Sequence, residues 1–320
     1  LKPLDDMFTA NSTPIDDYVD ALVNDYLAQG QHWALPFARS TPLFYYNKDM
    51  FAAAGIADAP KTWDEFAGYA AQLTDSSKSV VAYSHGSAAS YLAWIFQPVI
   101  WQYGGEYSDA EFNIHINSEQ GVAAGTFYQK SIQDGWANSV DAPIDDFNAG
   151  LTATTVASTG SLAGVKANAT FEFGTAFLPE GPAGFGCCTG GAGLAIPAAT
   201  EKADAAYAFT TWRTQPENTA WWSQNTGYMP VRKSAVDSMA DFFTENPNFK
   251  VAVDQLAKTR SQDSARVFIP NGDQIIGGAI EKIIVDLGDV KGALDEVAAT
   301  LTEEAKPVLE AIQALATPTA

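Results

Sequence analysis

The sequence is short of cysteine, histidine, positive charge and long apolar runs, and each shortage removes a class of protein. Its two cysteines are adjacent, within Gly186-Cys187-Cys188-Thr189-Gly190-Gly191, so they cannot supply the spaced thiolates of a structural metal site. In that glycine-rich turn they read either as two small loop residues or as a strained vicinal disulfide, and they fit either redox compartment. The three histidines, His32, His85 and His115, are scattered and stand in no metal-binding or triad context. Against 38 Asp and Glu there are only 18 Lys and Arg, a formal net charge of −20 at pH 7. Such a field repels phosphate backbones and anionic lipid heads, which argues against nucleic-acid and membrane-surface partners. It would repel a small anion too, so an anion site has to be built locally from Arg, hydroxyls and backbone N–H groups. No run of ~18 apolar residues occurs, hence no transmembrane helix is expected. Neither a signal peptide nor a lipidation motif is visible. The opening Leu1-Lys2-Pro3-Leu4-Asp5-Asp6 reads as the middle of a domain, with a segment expected before it.

Catalytic signatures are missing as well. There is no HExxH, no GxSxG elbow and no Walker A loop. The run Gly190-Gly191-Ala192-Gly193 precedes an expected strand, whereas a dinucleotide fingerprint follows one. With 38 carboxylates, pairs at a suggestive spacing arise by chance and read as solvated surface. No cofactor and no metal site are expected.

What the chain does have is ample core. Hydrophobic residues make up 47% and aromatics 12%, and 320 residues exceed what one core usually organises, so two lobes are expected. His32–Phe37 and Leu43–Tyr46 read as strands flanking a turn at 38–42, and Lys48–Ala54 as a helix. Thr62-Trp63-Asp64-Glu65 is a capping box opening a helix to Leu73. Val80–Tyr83 is an expected strand, and Ser87–Tyr103 an aromatic-rich helix broken by Pro98. A helix capped by Asn117 or Ser118 runs to Gln133. Strands are expected at Ala153–Ala157, Phe171–Leu178 and Ala192–Ile196, with a helix over Gly160–Ala167. Thr200 reads as the cap of a helix through Arg213, and Pro216 as the first turn of the next, ending at Gly227. From Lys233 the pattern is helical except over Thr259–Gly272. The alternation predicts an α/β fold with mostly parallel sheets.

Four segments combine small residues, hydroxyls, aromatics and Arg beyond what packing requires. They are Arg39–Asp49; Tyr91–Trp94 with Trp101; the strand-to-helix turn Ala157-Ser158-Thr159-Gly160-Ser161-Leu162; and Thr189–Ala192 with Thr226–Val231 and Arg266. Hydroxyls and exposed amides at a helix start can cradle an anion. Each segment also has an ordinary reading. Ser158–Ser161 can be a helix cap, Tyr91 and Trp94 one core face, and Arg266 a surface ion pair.

Together the runs ALPFARSTPLFYYNKDMFAAAGI, PKTWDEF, ASTGSLAG, TGGAGLAIP and PENTAWWSQNTGYMPVRKSAV resemble the extracellular solute-binding proteins of carbohydrate-type ABC importers. STGSL, TGGAGL and TGYMPVRKSA are most similar to the glycerol 3-phosphate and glycerophosphodiester-binding subunit, in an actinobacterial form. The resemblance implies a two-lobed α/β periplasmic-binding-protein-like fold, a hinge crossed more than once and a ligand cleft between the lobes. It assigns 1–43 and about 192–247 to lobe I, with the family's first elements before Leu1, and about 44–191 and 248–320 to lobe II. Carried over by motif, Ser40, Ser158, Gly191, Tyr228 and Arg266 would surround a phosphoglycerol, with Tyr91 and Trp94 as an aromatic wall. The implied partners are that ligand and the membrane permease of the importer. The implied setting is a monomer outside the cytoplasm, lipid-anchored through a segment not in this chain. Competing readings are a di- or oligosaccharide binder of the same fold, a secreted glycerophosphodiesterase, and a structural surface protein.

Overall fold

Local capping chemistry sets several helix starts in the computed structural model of the protein, which describes residues 1–316. Thr62 caps the helix Trp63–Leu73, its hydroxyl accepting the Glu65 N–H at 3.0 Å. The Glu65 carboxylate reaches back past the cap and accepts the Lys61 N–H at 2.7 Å. Asn47 caps Lys48–Ala53, Ser118 caps Glu119–Gln133, and Pro216 opens Pro216–Thr226. Thr200 is no cap: it accepts the Lys202 N–H at 3.2 Å in a turn, and the helix begins at Ala203.

Besides a two-residue antiparallel pair, Leu27–Ala28 with Gln31–His32, the strands are β1 (Leu35–Ser40), β2 (Pro42–Asn47), β3 (Val81–Gly86), β4 (Ala137–Val140), β5 (Thr152–Ser158), β6 (Phe173–Ala176) and β7 (Gly190–Leu194). The stretch 38–42, expected as a turn, is extended except at Thr41. Pro42 opens β2, a position where its missing N–H costs no ladder bond. The helix expected from Ser87 starts only at Leu92, because Ala88–Ser90 form one 3₁₀ turn and Tyr91 is left-handed, φ 63°. Nor does Pro98 break it: Leu92–Gln102 is continuous. Proline at 98 removes the N–H that would serve the carbonyl of Trp94. The buried Cys188 thiol points at that carbonyl, Sγ to O 3.8 Å, as a weak donor. The irregular stretch Thr259–Gly272 holds one helical turn, Ser264–Val267.

The described residues form two compact units. The first comprises Leu1–Leu43, Ser158–Asn168 and Thr189–Ser261; the second comprises Phe44–Ala157, Ala169–Cys188 and the chain from Gln262. This partition differs from the expected one at 158–168, 189–191 and 248–261, which all join the first unit. The reasons are local. Thr159 N–H donates to Thr41 O at 3.2 Å, the Gln255 amide donates to Pro42 O at 2.8 Å, and 190–191 pair with β1.

In the second unit a five-stranded sheet runs in the order β4-β3-β5-β2-β6. Strand β3 is parallel to β4 and β5, as expected, while β6 at the edge is antiparallel to β2, which makes the sheet mixed. Its core is aromatic: Phe44, Trp63, Phe66, Tyr83 and Trp136 meet mostly edge to face at 5.6–6.2 Å. Each such ring contributes about 1.5–3 kcal/mol by burial alone. In the first unit β1 and β7 pair antiparallel, and Leu4, Tyr18, Leu22, Leu162 and Val231 are fully buried. Among the described residues no helix is long and apolar enough to cross a membrane.

The second unit also buries His85. Its Nε2 lies 2.8 Å from Ser131 Oγ, and its ring packs 4.6 Å from Tyr83 and 4.3 Å from Tyr128. Burial lowers its pKa from 6.5 to about 3, so the folded ring stays neutral while the unfolded chain takes up a proton below pH 6.5. The resulting stability is complete above that pH and is lost as pH falls towards 3, at up to ~1.4 kcal/mol per pH unit. Denaturant midpoints should therefore fall between pH 6.5 and ~4.5, above the main carboxylate range, and His85→Gln should flatten that slope. An unaltered slope in the variant would assign the effect elsewhere.

Candidate functional site

Strand β1 is the frame on which the first unit's candidate residues are assembled. On one side Arg39 pairs with Gly191 and Ser40 with Gly190, after a bulge between Pro36 and Arg39. On the other, Met229 N–H donates to Arg39 O at 2.8 Å, which fixes the residue just after Tyr228. Just beyond the strand, Thr41 O receives the Thr159 N–H, which fixes the turn after Ser158. Ser40, Ser158, Gly191 and Tyr228, far apart in sequence, are thus tied to three successive residues, the last two of one strand and the residue after it.

Close approach explains the glycines. Gly191 sits at φ +92°, and a Cβ there would lie 1.9 Å from Ala38 O, so no side chain fits without moving the ladder. A Cβ on Gly160 would come 2.7 Å from Cζ of Tyr228, so the ring lies directly against the Ser158–Ser161 turn. Behind Tyr228, Trp222 lies nearly parallel, 11° between planes and 6.4 Å between centroids. The Arg213 guanidinium lies 4.6 Å from the Trp222 ring centroid.

The polar groups here are mostly neutral. Ser158 Oγ accepts the Gly160 N–H at 3.1 Å and closes the 3₁₀ turn Thr159–Ser161. Two further groups escaped the sequence reading: the hydroxyl of Thr159 and the indole N–H of Trp222 are buried without a hydrogen-bond partner among the described residues. Buried polar atoms are nearly always satisfied, so these are donors awaiting a ligand or water. Thr159 lay inside the quoted turn, but its neighbour Ser158 drew the assignment.

A second missed feature is a buried charge network. Arg39, 4% exposed, pairs with Asp25 and donates to Tyr26 Oη at 2.8 Å. Asp25 also accepts from Thr189 Oγ1 and Ser261 Oγ, each at 2.6 Å. Arg39 is therefore committed to anchoring the start of β7, and no motif of three or four residues signals a network spread over 25–261.

In the second unit the expected residues behave differently. Tyr91 is 68% exposed, whereas Trp94 is buried in the hydrophobic core. The left-handed Tyr91 precedes the helix, so the three-residue face relation of a helix does not reach it. Trp101 Nε1 donates to both carboxylate oxygens of Asp263 at 3.1 Å. A terminal nitrogen of Arg266 lies 2.6 Å from Asp273 Oδ1, and its Nε is buried with no partner among the described residues. Its cation is thus half-committed, with donor capacity to spare. Cys187 and Cys188 are both buried as thiols, and burial pushes the Cys188 thiol well above its usual pKa. Among the described residues no cluster of His, Cys, Asp or Glu is placed to hold a metal ion.

Comparison with known proteins follows the same lines. A family described as bacterial extracellular solute-binding protein matches residues 1–251. The sn-glycerol-3-phosphate-binding periplasmic protein UgpB of Escherichia coli K12 is 28% identical over 284 residues, covering 80% of this chain. The chain spans 63% of the length of that curated relative. UgpB from Mycobacterium tuberculosis, solved in complex with glycerophosphocholine, superposes with a TM-score of 0.92 at 42% identity, covering 97% of this chain and 80% of that one. An ABC transporter solute-binding protein from Thermotoga lettingae bound with α-D-tagatose superposes at 0.82 with 17% identity, covering 95% and 80%, a likeness of fold alone. The fold is the α/β solute-binding-protein fold that the resemblance implied.

The steric constraint at Gly191 is testable. Gly191→Ala should lower stability by ~2 kcal/mol or more, because the left-handed strain and the clash with Ala38 O add. Gly135→Ala, at φ +76° in open space, should lose only ~1–2 kcal/mol. Equal losses by denaturant titration would mean that the approach to Ala38 carries no weight.

Proposed function

Since the chain belongs to the family of bacterial extracellular solute-binding proteins, we propose that it captures glycerol 3-phosphate or a glycerophosphodiester such as glycerophosphocholine, and delivers it to the permease of an ABC importer. It binds and releases this ligand without transforming it, as a monomer outside the cytoplasm. The observation that carries the reading is the 42% identity, over 97% of the chain, to a protein solved with glycerophosphocholine.

The local chemistry supports it. A phosphodiester carries one negative charge spread over two free oxygens, and the first unit offers hydroxyl and glycine N–H donors that add no formal charge. Ser40 is 3% exposed, and its hydroxyl is one such neutral donor. Thr159 Oγ1 adds an uncommitted donor. The Tyr228 face, backed by Trp222, suits a glycerol backbone or a quaternary ammonium. In the second unit Arg266 and Tyr91 are the proposed contacts. Arg266 contributes the cation, tempered by Asp273, which favours a diester over a doubly charged monoester. Trp94, largely buried in the core, is the third proposed contact.

Calorimetry with glycerophosphocholine, glycerol 3-phosphate, maltose and trehalose separates this reading from sugar binding. Heats should appear for the phosphorylated glycerols and be absent for the disaccharides; the reverse pattern would overturn the assignment. Arg266→Ala should weaken binding of the best phosphorylated ligand by ~1.5–3 kcal/mol. Unchanged affinity would remove Arg266 from the site.

A further inference from the structure

The first unit carries a cavity separate from the residues tied to β1. Its volume is about 470 Å³, within the ~300–1,000 Å³ range of small-molecule sites. The segment 11–14, the helix Ala203–Arg213 and Arg232 form its walls. Arg232 is only 6% exposed, a burial that a guanidinium tolerates when it is paired. Its Nε donates to Asp17 Oδ2 at 2.9 Å, and its Cζ lies 4.2 Å from the Tyr18 ring centroid. One edge is thus taken by a carboxylate and one face by a ring, and the paired guanidinium still lines the cavity. Thr13, Thr211 and Gln215 add neutral hydrogen-bonding groups, and Trp212 is half exposed. Asp204 supplies an exposed carboxylate to the same lining.

From this juxtaposition we propose that the cavity is a second binding site, for a small zwitterion of the amino-acid or betaine type. Its carboxylate meets Arg232 and its cationic nitrogen meets Asp204 and the Trp212 face. Charge selects this class. A pure anion would enter a chain of net charge −20 beside Asp204 and Asp17, and a pure cation would face the buried Arg232. A zwitterion satisfies both lining charges and carries no net charge through the surrounding field. Trp212 suits a methylated ammonium in particular.

The test titrates the whole protein with glycine betaine, L-serine and γ-aminobutyrate, and with acetate and ethylamine as half-ligands, following the Trp212 signal by fluorescence or NMR. A zwitterion should bind at least ~10-fold more tightly than either half-ligand, Asp204→Asn should weaken it ~10-fold, and Thr211→Trp, which fills the cavity, should abolish it. Both variants should still bind glycerophosphocholine as the parent does, which separates this site from the phosphoglycerol reading. Saturation by neither zwitterion nor half-ligand at ~10 mM, equal binding of half-ligands, or full binding by Thr211→Trp would overturn the proposal.

Discussion

The backbone of one strand, Leu35–Ser40, is the constraint on which the first unit's candidate site depends. Its two sides and its end are each occupied by a different loop: Gly190–Gly191 by ladder pairing, Met229 through Arg39 O, and Thr159 through Thr41 O. Because backbone groups make these ties, the positions of Ser40, Ser158, Gly191 and Tyr228 are set to within hydrogen-bond tolerance before any side chain is chosen. Glycine at 191 is then required twice over, by φ +92° and by the 1.9 Å approach to Ala38 O. Any larger residue would push β7 away and loosen the other loops with it.

Charge explains why the donors are of the kind they are. A chain of net charge −20 gains nothing from a diffuse cationic surface that its own carboxylates would neutralise. The two strong cations first drawn to attention by sequence illustrate this: Arg39 is consumed by Asp25, and Arg266 is shared with Asp273. Neutral hydroxyls and amides, with the spare Nε of Arg266, are the groups that can meet a phosphate oxygen without first breaking an ion pair. Breaking a buried pair costs ~3–5 kcal/mol, more than a typical charged hydrogen bond returns.

Much of this was legible in the residues. Binary pattern, Thr62-x-x-Glu65 and Pro216 gave element types and several starts, because capping and proline act within a few residues. Motif resemblance located four residues that do assemble around β1. What stayed hidden depends on distant partners. The left-handed Tyr91 moved the helix start, which spacing alone does not reveal. Pro98 left its helix intact because Leu92–Gln102 is buried along its whole length and a thiol 94 residues away in sequence faces the freed carbonyl. The Asp25 network and the orphaned Thr159 hydroxyl likewise exist only once the chain has folded.

Amide chemical shifts followed during a glycerophosphocholine titration test the central claim most directly. The account predicts that the largest changes fall at Ser40, Thr159, Gly160, Gly191 and Tyr228, the backbone positions gathered by one strand. Shifts confined to other parts of the chain, with these five silent at saturation, would contradict it.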